Sequence, residues 1–97
     1  MPTYEFDAKV AREYLALTPA MRRMFLIAVR QLVEDLRGGG KPRPSLRVKR
    51  VATHPGVWEM SWAPDGRATF EYGPEVNPGD PHVIWRRVGS HDIFRNP

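Results

Sequence analysis

Residues 57–72 read VWEMSWAPDGRATFEY. Apolar and polar residues alternate on both sides of the Pro64-Asp65-Gly66 segment, which is the pattern of two β-strands joined by a turn. Proline fixes φ at the first corner of such a turn, and we expect Gly66 to supply a positive φ. The stretch therefore predicts an antiparallel hairpin with one apolar face. The residues of that face are Trp58, Met60, Trp62, Ala68, Phe70 and Tyr72.

The chain before the hairpin has helical periodicity. After a short alternating strand at residues 3–6, Asp7 is suited to cap a first helix. Thr18 and the proline after it are suited to begin a second helix, which continues to about Leu36. Gly38 follows at the position where a glycine often ends a helix. The second helix has an apolar stripe made of Met21, Phe25, Ala28, Leu32 and Leu36. Because the link is short, the two helices predict a helical hairpin that covers the apolar strand face.

The remaining segments complete one sheet. Alternation at Leu46 and Val48 indicates a strand before the hairpin, and residues 73–81, rich in proline and glycine, indicate a loop. Residues 82–88 are apolar on both faces at their start, which predicts a central strand. We expect a single α+β domain over residues 1–97. In it, a short N-terminal strand and a helical hairpin pack on a mainly antiparallel sheet of four or five strands. The other sheet face stays partly open, and the residues expected on it include Arg47, Lys49 and Arg67.

Composition excludes several classes of protein. A chain of 97 residues supports one small core. The absence of cysteine excludes a disulfide framework, a cysteine-ligated zinc site and thiol chemistry. No apolar run approaches the length of a membrane span, and the first residues lack the basic start and apolar run of a signal peptide. We therefore expect a cytoplasmic protein with no membrane association.

The basic surplus is concentrated in two segments. Fifteen basic and 11 acidic residues give a net charge of +4. No acidic residue lies between Asp35 and Glu59, a stretch that contains six basic ones, and residues 86–95 are again basic. Local surplus of this kind is typical of a phosphate-binding surface. A basic run can also serve only to solvate a loop.

His91 is the residue on which the candidate chemistry centres. The three histidines lack the spacing of a zinc site, so we expect no metal and no other cofactor. Ser90, His91 and Asp92 are adjacent, and neighbours on an extended chain point to opposite faces, so they do not form a catalytic triad. An imidazole beside Arg67 would suit RNA cleavage, which needs proton transfer and a cation for the growing charge on the phosphate. The alternative is a surface histidine beside an aspartate.

Four motifs, in this order, carry a resemblance to a known family. They are LRVKR at residues 46–50, GVWEMSW at 56–62, GRATFEY at 66–72 and VGSHDIF at 88–94. The sequence resembles the RelE/ParE superfamily of toxins from bacterial toxin–antitoxin pairs over essentially the whole chain. The resemblance implies an endoribonuclease that cuts mRNA, in many members on the ribosome, and that is held inactive by a cognate antitoxin.

The resemblance also implies roles for individual residues. Arg67 matches the arginine that binds the scissile phosphate, His91 matches the acid/base position, and Lys49 matches a basic position before the hairpin. These three are the predicted catalytic residues. The basic segments and the resemblance together give the predicted RNA-binding residues, which are Arg43, Arg47, Arg50, Arg87 and Phe94.

Two departures from the family pattern keep other functions open. Phe94 stands where members often have a tyrosine, and its ring cannot donate a proton. Arg43 stands where some members have an acidic base. The alternatives are a ParE-like toxin that binds DNA gyrase without nuclease activity, and a degenerate member that binds RNA without cleaving it.

Overall fold

The computed structural model describes residues 2–97 and contains two helices packed on one five-stranded sheet. The helices and strands are β1 (Thr3–Phe6), α1 (Ala8–Ala16), α2 (Pro19–Leu36), β2 (Lys49–Arg50), β3 (Trp58–Ser61), β4 (Gly66–Gly73) and β5 (His82–Ser90). Short 3₁₀ helices occur at Arg37–Gly39, Pro44–Leu46 and His91–Arg95. The predicted α+β class is confirmed. No helix within the described residues is long and apolar enough to cross a membrane.

The sheet is antiparallel except at one edge. Its strand order is β1-β5-β4-β3-β2, and β1 pairs with β5 in parallel. The other three pairings are antiparallel. Parallel strands need a long connection, and here the two helices and three strands lie between β1 and β5 in the sequence. As predicted, β5 is internal, with β1 on one side and β4 on the other.

The helix boundaries follow the capping residues seen in the sequence. The Asp7 carboxylate accepts a hydrogen bond from the Val10 N–H at 2.9 Å, and the Thr18 hydroxyl accepts one from the Met21 N–H at 3.2 Å. Each bond satisfies a backbone donor that the first helical turn leaves without an intrahelical partner. Gly38, at φ 66°, occupies the left-handed conformation just beyond α2.

The core lies between the helices and one sheet face. Phe25 of α2 is fully buried at its centre, in edge contact with Trp62 and Trp85 at ring-centroid distances of 5.8 and 5.4 Å. Full burial of such a ring contributes about 1.5–3 kcal/mol. Met60 and Ala68, which pair directly across β3 and β4, are buried in the same cluster. Their strand neighbours therefore point to the opposite face of the sheet.

The turn between β3 and β4 uses its glycine for a different reason from the predicted one. Gly66 is not among the glycines with positive φ. Instead, the Trp62 ring lies against it, and a Cβ at this position would stand 2.6 Å from ring carbons of Trp62. The Gly66 N–H closes the turn by donating to the Ala63 carbonyl at 3.1 Å. The turn prediction is correct, and the positive φ is wrong.

Two further segments differ from the sequence-based expectation. The predicted strand at Leu46 is wrong, because residues 44–46 form a 3₁₀ turn and only Lys49–Arg50 joins the sheet. Pro44 opens that turn, and Arg47 then adopts the left-handed conformation at φ 50°, which breaks the extended run. At the other end of the chain, His91 and Asp92 belong to a 3₁₀ helix rather than to an extended segment.

Candidate active site

Strand pairing gathers several polar residues on the sheet face that the helices leave uncovered. Lys49 lies opposite Glu59 across β2 and β3, and Ser61 lies opposite Arg67 across β3 and β4. Directly opposed residues of an antiparallel pair have their side chains on the same face. The alternation that buries Met60 thus turns Glu59 and Ser61, with their partners, to the other side.

The end of β5 brings His91 to the same place. Gly89 pairs with Arg67, and Ser90 pairs with Gly66. The chain leaves the sheet at the next residue and enters the 3₁₀ helix, which begins at His91. The Ser90 hydroxyl caps this short helix by accepting from the Asp92 N–H at 3.3 Å. His91 is therefore held next to the start of β4, where Arg67 lies.

These residues line one open pocket of about 350 Å³. Its lining consists of Arg47, Lys49, Glu59, Ser61, Arg67, His91 and Phe94. The predicted catalytic residues lie together in it, although they are separated by up to 42 positions in the sequence, and Arg47 and Phe94 of the predicted RNA-binding set join them. Three permanent cations face one carboxylate, which makes the pocket suitable for an anion.

Arg67 is oriented by the hairpin turn. Its Nη1 donates to the carbonyl oxygens of Ala63, Pro64 and Gly66 at 3.2, 3.3 and 2.9 Å. The ion pairs within residues 2–97 do not include Arg67. A guanidinium has five N–H donors, so contacts from one nitrogen leave the others available. The turn fixes the side chain and leaves its charge unneutralised by a carboxylate.

Lys49 is held more loosely. Its Nζ lies 3.8 Å from the Glu59 carboxylate, and 69% of the lysine side chain is exposed. Glu59, by contrast, has only 16% of its side chain exposed. An ion pair at this distance with one exposed member contributes between nothing and about 1 kcal/mol. Lys49 is therefore free to move toward a phosphate in the pocket.

Arg47 reaches the pocket from a strained backbone. It is the one residue other than glycine in the described range with a positive φ. A left-handed conformation costs an ordinary L-residue roughly 1–2 kcal/mol. The bend lets Leu46 stay buried in the core while exposed Arg47 lines both this pocket and the neighbouring groove beside α2.

Three predicted RNA-binding residues do not line the pocket. Arg43 binds Asp35 through two guanidinium nitrogens at 2.8 and 2.9 Å, and the hydrogen bonds from Arg43 hold the pKa of the Asp35 carboxyl below its usual range. Arg50 pairs with Trp58, placing it on the other sheet face, where its guanidinium carbon lies 5.2 Å from the Trp58 ring centre.

Arg87 is also engaged elsewhere. It forms an ion pair with Glu13 of α1 at 2.7 Å and donates to the Asn96 carbonyl at 2.7 Å. A register shift between Thr69 and Phe70 leaves the preceding arginine, Arg86, outside the β4–β5 pairing, and its guanidinium contacts Glu71 at 3.1 Å. The charge of this C-terminal segment is thus largely committed to the fold, whereas that of Arg47, Lys49 and Arg67 faces the pocket.

Glu59 and Ser61 are pocket residues that the sequence analysis did not single out. The signal was present, because both alternate with the apolar residues of β3 and so share a face with Lys49 and Arg67. The charge count treated Glu59 only as the end of an acid-free stretch. Within the described residues, no group of three or more histidine, cysteine, aspartate or glutamate side chains is arranged to hold a metal ion.

The fold has counterparts among solved structures, although no family model matches the sequence and no curated protein is significantly similar to it. The RelB-RelE antitoxin-toxin complex from Methanococcus jannaschii matches at a TM-score of 0.64 and 12% identity, over 94% of each chain.

Two bacterial structures agree. The isolated Escherichia coli RelE toxin matches at a TM-score of 0.61 and 15% identity, over 91% of this chain and 82% of that one. The toxin-antitoxin complex RelBE2 from Mycobacterium tuberculosis matches at a TM-score of 0.53 and 20% identity, over 92% of this chain and 96% of that one. At these identities the likeness concerns the fold, and the chain accordingly has the RelE-like toxin fold.

Proposed function

We propose that this protein is the toxin of a type II toxin–antitoxin pair and that it acts as an endoribonuclease on mRNA, stopping translation. The observation that carries the proposal is the pocket in which Arg67, His91 and Lys49 converge from three separate elements. Cations and an imidazole are what cleavage of RNA through its own 2′-hydroxyl needs, and that reaction needs no metal ion. The fold shared with RelE toxins supports the same conclusion.

The roles follow from the placement of the charges. Arg67, anchored by the turn carbonyls, binds the nonbridging oxygens of the scissile phosphate. Lys49 adds a second positive charge as the phosphorus becomes five-coordinate. His91 is the proton-transfer group and donates to the 5′ oxygen as the bond from phosphorus to that oxygen breaks. Exposed Arg47 at the pocket edge binds the RNA backbone beyond the cleavage point.

The shape of the pocket supports mRNA held in place by another body, and we propose that this body is the ribosome. The pocket is small, at about 350 Å³, and only seven residues line it. A small site of this kind favours an RNA that another body already holds in an extended conformation. The protein then does not have to supply the free energy of ordering the strand. Action on translating ribosomes places the protein in the cytoplasm.

A cognate antitoxin is the second proposed partner. Next to the pocket, a groove of about 470 Å³ runs between α2 and the β3–β4 hairpin and shares Arg47, Ser61 and Arg67 with it. Met24 and Ile27 of α2 line this groove and are 40% and 56% exposed. An antitoxin helix with an apolar face and acidic ends would cover these side chains and neutralise Arg67.

The test asks whether the protein cleaves mRNA and whether it inhibits translation or DNA gyrase. Purified wild type and the Arg67→Ala and His91→Ala variants are assayed for mRNA cleavage on programmed ribosomes, for translation in vitro and for gyrase supercoiling. We expect wild type to cleave mRNA and stop translation without affecting supercoiling, and both folded variants to lose cleavage. Lost supercoiling with normal translation would favour the ParE-like alternative. RNA binding without cleavage by wild type would favour the degenerate member, for which Phe94 in place of tyrosine is the supporting observation.

A further inference from the structure

Glu59 occupies an unexpected position for a phosphate-binding pocket. It is the one carboxylate among residues 2–97 that lines the pocket, and the charged or titratable groups facing it are Arg47, Lys49, Arg67 and His91. A negative charge in this position opposes the binding of a phosphate, so a purely phosphate-binding surface would be better without it. Its presence calls for a second role.

A structural role does not account for Glu59. Its ion-pair contact within the described residues is the 3.8 Å approach to Lys49, whose side chain is 69% exposed. Such a contact adds little to stability. Other carboxylates of the domain make closer bonds, as Glu71 does to Arg86 at 3.1 Å and Glu13 to Arg87 at 2.7 Å. Glu59 is instead mostly buried and directed into the pocket, with oxygen atoms left for a further partner.

The proposed reaction needs a proton acceptor, and a carboxylate can act as one. Cleavage of RNA through the 2′-hydroxyl requires one group to accept a proton and another to donate one. Phe94 has no exchangeable proton, and arginine stays protonated. Lysine amines are ordinarily protonated at neutral pH, while carboxylates are ordinarily ionised and ready to accept a proton. Of the side chains that line the pocket, Glu59 and His91 are thus the pair able to divide the two transfers.

We propose that Glu59 is the general base of the reaction and that His91 is its general acid, an assignment that rests on the proposed ribonuclease function. The Glu59 carboxylate takes the proton of the 2′-hydroxyl, and the 2′ oxygen forms a bond to phosphorus. The bond from phosphorus to the 5′ oxygen breaks, and His91 in its protonated form gives that oxygen a proton. The products are a 2′,3′-cyclic phosphate and a 5′-hydroxyl. Exchange of one proton each with water resets both side chains.

The neighbouring cations fit this assignment. Lys49 and Arg67 offset the charge of Glu59 when substrate enters and stabilise the charge that moves to the phosphate oxygens as the proton leaves. Glu59 and Lys49 lie on adjacent strands, and Glu59 is held by the β-sheet on both sides through its pairings with Lys49 and Thr69. A base on a strand paired on both sides is positioned more rigidly than one on a loop.

The experiment separates the base from the acid through the leaving group. Single-turnover cleavage is measured with two short mRNAs on programmed ribosomes, one of them with sulfur in place of the scissile 5′ oxygen. A thiolate leaves without protonation. Variants that lack the acid should therefore regain their cleavage rate on this RNA, whereas variants that lack the base should not. The proteins are wild type, Glu59→Gln, Glu59→Asp, His91→Ala and the control Glu71→Gln, which removes a strand carboxylate outside the pocket.

We expect Glu59→Gln to slow cleavage of both RNAs by about 10²–10⁴-fold. Glutamine keeps the size and polarity of the side chain, so this loss reports the missing base. Glu59→Asp should retain part of the rate, Glu71→Gln should stay within about threefold of wild type, and His91→Ala should recover on the sulfur RNA.

Three results would overturn the inference. A Glu59→Gln rate within about threefold of wild type would show that Glu59 is not the base. Recovery of Glu59→Gln on the sulfur RNA, with no recovery of His91→Ala, would exchange the two roles. A wild type that cleaves neither RNA would overturn the proposed function itself, and this outcome is distinct because it appears before any variant is compared.

Discussion

His91 and Phe94 are in edge-to-face contact, with ring centroids 5.1 Å apart and an angle of 78° between the ring planes. Both rings line the candidate active site. Phe94 lies one 3₁₀ turn after His91, so the short C-terminal helix supplies both the proposed proton-transfer group and the ring that packs against it. Phenylalanine therefore positions His91 without offering a hydroxyl of its own.

Removing the Phe94 ring should weaken catalysis through His91. An aromatic contact of this kind is worth about 0.5–1.5 kcal/mol, which corresponds to a rate loss of roughly 2- to 13-fold for Phe94→Ala. Phe94→Tyr keeps the packing and should stay within about threefold of wild type. Single-turnover cleavage of mRNA measures both. An unchanged rate in Phe94→Ala would show that the contact does not position His91.

The left-handed backbone at Arg47 should separate stability from RNA binding. At φ 50°, glycine avoids the cost that any residue with a Cβ incurs, so Arg47→Gly should be about 1 kcal/mol more stable than Arg47→Ala. Both variants lose the same guanidinium and should bind RNA more weakly, with a smaller dependence on salt. Urea unfolding and RNA titrations at two salt concentrations test this. Equal stabilities would mean that the conformation carries no strain.

Gly66→Ala should destabilise the hairpin. The new methyl group would meet the Trp62 ring at 2.6 Å, and relief requires moving a buried ring in the core. Overpacking of this kind costs about 1–3 kcal/mol. The midpoint of urea unfolding should fall with no change in its slope. Asp65→Ala, in the exposed part of the same turn, is the control and should unfold like wild type; an equal loss there would point to the turn rather than to the ring.

Arg87→Met should lower stability more than it lowers cleavage. The Arg87–Glu13 pair joins β5 to α1, and both side chains are only about one-fifth exposed. Loss of one partner leaves a partly buried carboxylate without its cation and should cost about 1–3 kcal/mol. The cleavage rate per folded molecule should stay near that of wild type. A cleavage loss comparable to that of Arg67→Ala would show that Arg87 does contribute to RNA binding.

The Asp35–Arg43 pair predicts an acid-dependent contribution to stability. The hydrogen bonds from Arg43 lower the pKa of Asp35 in the folded state. The pair therefore stabilises the fold fully above the unfolded pKa of about 3.9, and this contribution is lost as pH falls through the folded pKa. Asp35→Asn should flatten the fall in stability below about pH 5, as measured by thermal unfolding. Glu34→Gln, whose contact with Arg43 is longer and more exposed, should change the profile less.

Local signals were sufficient for most of the fold. The caps at Asp7 and Thr18, the apolar stripe of the second helix and the alternation around Pro64 each depend on neighbouring residues, and each is found as predicted. The extended run predicted from Leu46 failed because Arg47 adopts a conformation that side-chain alternation does not encode. The reason for Gly66 was missed because it depends on where the Trp62 ring packs.

The candidate site required strand register as well as sequence. Arg67 and His91 were singled out by their chemistry and by a family resemblance, and the pairings of Gly89 and Ser90 explain how they come together. Charge counting alone placed Arg43 and Arg87 with the RNA-binding residues, although both bind carboxylates of the protein itself. Net charge along the chain does not reveal which cations are already paired. It also does not reveal that Glu59 shares a sheet face with Lys49.

The most direct measurement of the central claim is the chemical nature of the RNA ends that the protein produces. Wild type is incubated with programmed ribosomes, and the cleaved mRNA is tested for the groups at the new 3′ and 5′ ends. Attack by the 2′-hydroxyl, with Arg67 on the phosphate and His91 as the acid, predicts a 2′,3′-cyclic phosphate and a 5′-hydroxyl, both absent with His91→Ala. A 3′-hydroxyl with a 5′-phosphate, or identical ends with His91→Ala, would contradict the account.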